Sequence, residues 1–426
     1  MKFTVRAFQL FFKIVFHTFN FLIVRGKAKI GIRNGAYEAD LGNAIKNLFE
    51  SLGPSFLKIG QLLSMRADIV NPNIINTLKE LQDNVTPAPP KIIYNTLENA
   101  YGDRMSSIFI KFNFQPIASG SIAQVHYAIL KKEGKPVAVK IKRQGLRKQI
   151  TQDISIIHKL VRLLTAFKYF QHMPLTGMIK QIGISLLQQL DFEKEIENNY
   201  RFQEMFKNND SIILPKIYPD FSTEEIIVME FIEGFKRFDD LSIEISDFQR
   251  LAKIGIHVLY KMVFTTGFVH CDLHAANIGV NYQRDLVILD TGFVAEVKEE
   301  TLTLFRQFFI GIISNNGKKC SQILFETSSS QGPGFVYQNF ENDVIKLISK
   351  NARLATGEFN VGNFSYQLFD IQRKHQLEGA IEFIMTILSM LVVEGLVKFR
   401  WPEMKFQELA IPYLSTSVLH NLVGKQ

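Results

Sequence analysis

Residues 270–292 read HCDLHAANIGVNYQRDLVILDTG. This run spaces Asp272, Asn277 and Asp290 as H-x-D-x4-N, then a short apolar strand at 286–289, then Asp-Thr-Gly. Phosphoryl transfer uses such a set: one Asp faces the attacking oxygen, the Asn ligates metal, and the Asp of the Asp-x-Gly turn holds Mg²⁺ against nucleotide phosphates. Mg²⁺ takes oxygen ligands from one or two carboxylates plus substrate phosphates, so the residue types fit. His270 and His274, four apart around an Asp, would suit zinc. The phosphoryl-transfer reading instead makes His270 a structural residue of the loop and needs no zinc.

Such a site also needs a cation for the phosphates and elements to hold it. Val137-Ala138-Val139-Lys140 ends a predicted strand, the setting in which a Lys reaches the α and β phosphates. That Lys needs a carboxylate, and Glu195 in DFEKEIEN is the favoured partner, with Glu193 and Glu197 nearby on other helix faces. The apolar run 226–234 reads as a buried strand entering a hinge, where backbone groups of Met229, Glu230 and Phe231 would meet adenine. Strands are predicted at 106–116, 121–131 and 136–142, around a Ser119-Gly120-Ser121 turn and a Glu133-Gly134-Lys135 connection. Helices follow from 147 to about 207, two more strands near 212–217 and 225–231, and an almost wholly helical pattern after 244. The expected fold is α+β: two lobes with a cleft between them, protein-kinase-like, behind a helical N-terminal extension.

A chain of 426 residues can bury a large core, and 46% hydrophobic with 21% charged residues argues against disorder. Two cysteines, Cys271 and Cys320, build no disulfide framework and point to a reducing compartment. Residues 1–35 hold seven bases and no acid, which leaves the rest of the chain with 42 of the 49 Lys and Arg against all 41 Asp and Glu. The basic excess therefore belongs to the N-terminus. With no basic patch interleaved with aromatics elsewhere, nucleic acid is not an expected partner.

The same N-terminus is Phe-rich and apolar from Ala7 to Val24, interrupted by Lys13, His17 and Asn20. Spanning a bilayer would put Lys13 near its centre at roughly 2.5–3.5 kcal/mol. A helix lying at the interface fits better, with the bases from Arg25 to Arg33 facing anionic headgroups at about 1 kcal/mol per charge. The expected location is the cytoplasmic side of a membrane, held peripherally by this segment. Phe383 to Val393, bounded by Glu382 and Glu394, is too short to span and reads as a buried helix.

Three further motifs resemble the UbiB family of atypical, protein-kinase-like ATPases. Lys58-Ile59-Gly60-Gln61 matches its K-x-G-Q signature ahead of the small lobe. Residues 116–126, PIASGSIAQVH, match its Ala-rich nucleotide loop, with Ala118, Ser119, Gly120 and Ser121 at the turn. Gln189-Leu190-Asp191 followed by Glu195 falls where the family has E-x-D and the Lys-pairing Glu. The likeness covers roughly residues 36–400. It departs at Gln189, which lacks the charge of the family's Glu, and at Gly120, which stands where the family has Ala.

The resemblance implies ATP and Mg²⁺ as cofactors, with Lys58 and Gln61 on a face that covers the active site. It implies ATP hydrolysis, or phosphate transfer to a small or lipid-derived molecule, in support of ubiquinone biosynthesis. Implied partners are a membrane lipid or quinone precursor and other quinone-biosynthesis enzymes. The expected organisation is a membrane-contacting segment at 1–35, the K-x-G-Q extension at 36–100, a small lobe at 101–235 and a large lobe at 236–426. Two alternatives are a nucleotide-gated lipid-binding scaffold and an ordinary protein kinase. The lack of an Ala-Pro-Glu segment after Asp290-Thr291-Gly292 and the presence of K-x-G-Q argue against the latter.

Overall fold

The computed structural model describes residues 3–29, 37–65, 70, 72–78, 80–81, 85–164, 175–352 and 359–414. The bases Lys2 and Arg33 lie outside them. The chain divides into two compact units. One comprises Met1–Arg66, Val70–Tyr200 and Pro215–Phe231; the other comprises Ala67–Ile69, Arg201–Leu214 and Ile232–Gln426.

The first unit begins with α1 (Phe3–Lys29), α2 (Tyr37–Leu52), α3 (Pro54–Met65), α4 (Pro72–Leu78) and α5 (Pro90–Tyr101). Proline at the first position of α3, α4 and α5 suits helix starts, where its missing N–H costs nothing. A single turn, α6 (Met105–Ile108), precedes β1 (Phe109–Ser119), β2 (Ala123–Leu130) and β3 (Pro136–Lys142). The predicted first strand therefore starts later and runs past Pro116. Proline is tolerated there because β1 is an edge strand and its register with β2 shifts on both sides of Pro116.

Helices α7 (Leu146–Leu164), α8 (Leu175–Gln188) and α9 (Phe192–Phe206) follow, then β4 (Ile212–Ile213) of the second unit and β5 (Ile226–Glu230) of the first. The antiparallel sheet runs β1-β2-β3-β5. Strand alternation sorts its two faces. Val137, Val139, Ile226 and Val228 pack with Ile93, Leu97 and Tyr101 of α5. Ala123, Ala138, Ile227 and Met229 pack with Phe192 of α9. Lys140 has the parity of Ala138 and so emerges on the α9 face.

The second unit holds β6 (Lys236–Arg237), α10 (Ile245–Tyr260), a π-helical turn (Lys261–Thr266), β7 (Phe268–His270), β8 (Ile278–Val280), β9 (Leu286–Ile288) and β10 (Val294–Glu296). Next come α11 (Glu299–Ile313), α12 (Gly317–Glu326), β11 (Ser328–Gln331), α13 (Tyr337–Ala352), α14 (Val361–Lys374), β12 (Leu377–Gly379) and α15 (Ile381–Arg400). Gly267 closes the π-helical turn with φ +67°, and an added Cβ would lie 2.6 Å from the Val297 carbonyl oxygen. Only glycine meets both demands, and it turns the chain directly into β7. Residues 383–390 of α15 are buried throughout, as their length predicted.

Candidate active site

In the first unit, Lys140 Nζ donates to Glu195 Oε1 at 2.5 Å. Both side chains are largely buried, at 11% and 6% exposure. Asp191 makes this geometry possible. It caps α9 by accepting the Lys194 N–H at 3.0 Å, so the helix starts one turn before Glu195 and turns that carboxylate toward β3. The Phe192 ring lies under the pair, 5.5 Å from Lys140 Nζ and 4.7 Å from Lys142 Nζ. Burial pushes the Lys142 ammonium below its ordinary pKa.

The loop between β1 and β2 is tied from behind by a residue that sequence reasoning did not single out. Arg143 donates from Nε to the Gly120 carbonyl at 2.8 Å and from Nη2 to Ser119 Oγ at 2.9 Å and the Thr86 carbonyl at 3.1 Å. Ser119 Oγ in turn donates to the Val85 carbonyl at 2.7 Å, and Gly120 N–H to the Ala123 carbonyl at 2.9 Å. Arg143 follows the strand that carries Lys140 by one residue, and nothing in its immediate sequence signals this reach.

At the end of β5, the Glu230 N–H is committed to the Lys216 carbonyl at 2.8 Å and the Phe231 N–H to the Pro136 carbonyl at 3.4 Å. An adenine contact from these two residues would therefore use their carbonyls or side chains. Phe231 stacks edge-on against Tyr127 at 5.1 Å.

In the second unit, two antiparallel ladders gather the acidic residues. His270 pairs with Val294 across β7 and β10, and Ile278 with Ile288 across β8 and β9. The loop 271–277 and the turn 289–293 thus leave the ladders side by side, joined by Leu289 N–H to the Asn277 carbonyl at 2.9 Å and Cys271 N–H to the Phe293 carbonyl at 2.9 Å. His270 locks the arrangement. Its Nε2 donates to the Asp290 carbonyl at 2.5 Å, and its Nδ1 accepts the Asp272 N–H at 3.1 Å. Those partners require the neutral ring, and burial pushes its pKa below the ordinary value, with the Asp290 contact and nearby carboxylates opposing.

Asn277 Nδ2 donates to the Asp272 carbonyl at 2.9 Å, so the amide oxygen is the ligand atom its orientation offers. Asp290 Oδ1 accepts the Gly292 N–H at 2.9 Å, which fixes the carboxylate in the Asp-Thr-Gly turn. Carboxylate and amide oxygens are donors that suit Mg²⁺ completed by phosphates. Among the described residues, no group of three His, Cys, Asp or Glu could hold a metal ion by itself.

A family model described as the ABC1 atypical kinase-like domain matches residues 80–324, more than half of the chain and the whole stretch from Lys140 to Asp290. The chain belongs to the ABC1 atypical kinase-like family. Its UbiB relatives extend the likeness further. One named "Probable protein kinase UbiB", from Vibrio atlanticus, is 27% identical over 94% of this chain and 74% of its own length. A second of that name, from Tolumonas auensis, is 26% identical over 90% of this chain and 72% of its own. A solved Mycobacterium tuberculosis structure, described as the complex of Rv3197 with erythromycin, shares the fold at TM-score 0.51 and 19% identity, covering 74% of this chain and 83% of that one.

The K-x-G-Q residues of this ABC1 member lie on α3, with Lys58 and Gln61 half-buried. Gly60 serves close packing of side chains rather than of backbone. A Cβ there would collide with Leu81 and come within 2.7 Å of the Phe49 ring. Gln189 sits in the turn between α8 and α9, 6% exposed, and its Nε2 has no hydrogen-bond partner among the described residues. Gly120 is a different case. It carries no positive φ, and an added Cβ would meet only the Ala123 carbonyl at 3.6 Å, an ordinary contact. Neither strain nor crowding within the protein requires glycine there.

Proposed function

We propose that this chain binds Mg·ATP and either hydrolyses it or passes its terminal phosphoryl group to a small or lipid-derived acceptor, in support of ubiquinone biosynthesis at a membrane surface. Lys140 grips the phosphates and Glu195 positions it. Asn277 and Asp290 supply the oxygen ligands for Mg²⁺, which when bound would neutralise charge on the phosphates. Asp272 orients the attacking oxygen. Ala118 to Ser121 form the loop over the nucleotide, with Arg143 shaping it, and Lys58 and Gln61 limit access to the site.

The buried Lys140–Glu195 pair supports this reading most. An ion pair withdrawn from water costs several kcal/mol per ion in desolvation and is weak as a stability device. Its retention beside a loop tied by Arg143 fits a phosphate grip. The test is Asp290→Asn. Mg·nucleotide should raise the melting temperature of the natural protein and leave that of the variant unmoved. An equal shift in both would refute the metal assignment.

A further inference from the structure

Helix α1 is amphipathic in the reverse sense for a helix facing water. Its cations Arg6, Lys13 and Arg25 turn inward. Arg6 is 7% exposed and donates bidentately to Asp153 of α7, from Nε at 2.7 Å and Nη2 at 2.8 Å. The same carboxylate accepts Ser55 Oγ of α3 at 2.5 Å. Lys13 Nζ donates to the Ser51 carbonyl of α2, and Arg25 pairs with Asp40 of α2 at 3.2 Å. Leu10, on the same inward stripe, is 1% exposed.

The opposite stripe is apolar and bare. Phe8, Phe11, Phe12, Phe16, Phe19 and Leu22 are each between 52% and 64% exposed. At 3.6 residues per turn these positions form one continuous face, with the exposed polar residues Gln9, Thr18 and Asn20 at its margins. Val5–Gly26 is long and apolar enough to cross a membrane by length and composition. Crossing would pull Arg6 from Asp153, leave that carboxylate buried and unpaired, and carry Arg6 and Lys13 into hydrocarbon.

We propose that α1 lies in the plane of an anionic bilayer surface with its phenylalanine face in the lipid, and does not cross. The proposal rests on the membrane reading above and adds the face by which α1 enters the lipid and the inward ion pairs that keep it from crossing. Charge selects the occupant. Residues 1–35 hold seven bases and no acid. Arg6 and Arg25 are paired with acids and Lys13 is turned to the Ser51 carbonyl, so the charge that selects the occupant is that of Lys2, Lys27, Lys29 and Arg33. A second copy docked face to face would double it, whereas anionic headgroups would neutralise it.

The test uses the full chain with vesicles of phosphatidylcholine alone or in equal parts with phosphatidylglycerol. Flotation should occur on the anionic vesicles and fall about tenfold or more in Phe12→Glu/Phe16→Glu, since burying each ring in an apolar phase exceeds that factor. A retained Mg·nucleotide melting shift would show that the variant is folded. Topology is read from single added thiols, Lys2→Cys or Lys29→Cys, because Cys271 and Cys320 are both buried. Both thiols should react fully with an impermeant maleimide outside intact vesicles. One end protected until detergent is added would overturn the in-plane geometry and leave the membrane reading standing. Failure to float on either vesicle would sink both. A concentration-dependent dimer abolished by the same double substitution, without flotation, would assign the face to a second copy.

Discussion

The two units hold their candidate catalytic groups by different means. In the first unit Lys140 is held through its side chain, by a buried contact of 2.5 Å with the Glu195 carboxylate. In the second, Asp272, Asn277 and Asp290 are positioned by main chain, through the β7–β10 and β8–β9 ladders and the His270 bridge between two backbone groups. A side-chain grip can be broken by one substitution that leaves the backbone intact. A backbone grip survives replacement of the acid itself, because the ladders that place it persist. A single substitution in the Lys140–Glu195 pair should therefore cost both binding and stability, whereas Asp290→Asn should cost binding alone.

The largest effect should come from breaking the pair. Glu195→Ala takes a carboxylate away from a buried ammonium and should cost about 3–5 kcal/mol, read from chemical denaturation. Nucleotide binding should fall with it. Lys140→Met/Glu195→Leu removes both charges and should restore most of the stability while nucleotide binding stays absent. If the double variant binds nucleotide, Lys140 is not the phosphate grip. If Glu195→Ala alone is harmless to folding, the contrast between the two units fails.

Much of this contrast was legible in the sequence, for identifiable reasons. The Val-Ala-Val-Lys pattern at a strand end points to Lys140 and the acidic run DFEKEIEN to Glu195, and the structure pairs these two side chains. The spacing of Asp272, Asn277 and Asp290 is local and needs no tertiary knowledge. The short strands β7, β8 and β10 were missed, since three residues show no period. Arg143 was missed because its function lies in reaching Gly120 and Thr86, far from it in sequence. The Phe-rich helix was visible as apolar. Its inward cations were not, because Asp153 and Asp40 are too distant to be paired with Arg6 and Arg25 by inspection.

The backbone grip can be tested at His270. Replacing it with Leu strands the Asp272 N–H and the Asp290 carbonyl in a buried place, at about 1–3 kcal/mol. The effect should depend on pH. His270 titrates below its ordinary value of 6.5, so the unfolded chain binds a proton that the folded chain refuses. Stability of the natural protein should fall as pH drops from 6.5 toward the lower folded value, and be unaffected by this group above 6.5. His126, also buried and also shifted down, contributes the same sign to both proteins. The gap between wild type and His270→Leu should therefore narrow on acidification. A gap that widens would mean the buried ring is charged and the bridge is misassigned.

The smallest effect on folding should come from Gly120→Ala. The backbone there is not left-handed and the added methyl has room, so the substitution should be neutral or stabilise by about 0.4–1 kcal/mol through the unfolded chain. Arg143 and Ala123 would keep the loop in place. Nucleotide affinity should nevertheless fall, because the methyl occupies space that glycine leaves for phosphate approach. Calorimetric titration with Mg·ATP, beside a melting curve, separates the two quantities. Unchanged affinity would place Gly120 outside the phosphate contact. Lost stability would mean that the loop, like Lys140, is held by side-chain packing and not by its tied backbone.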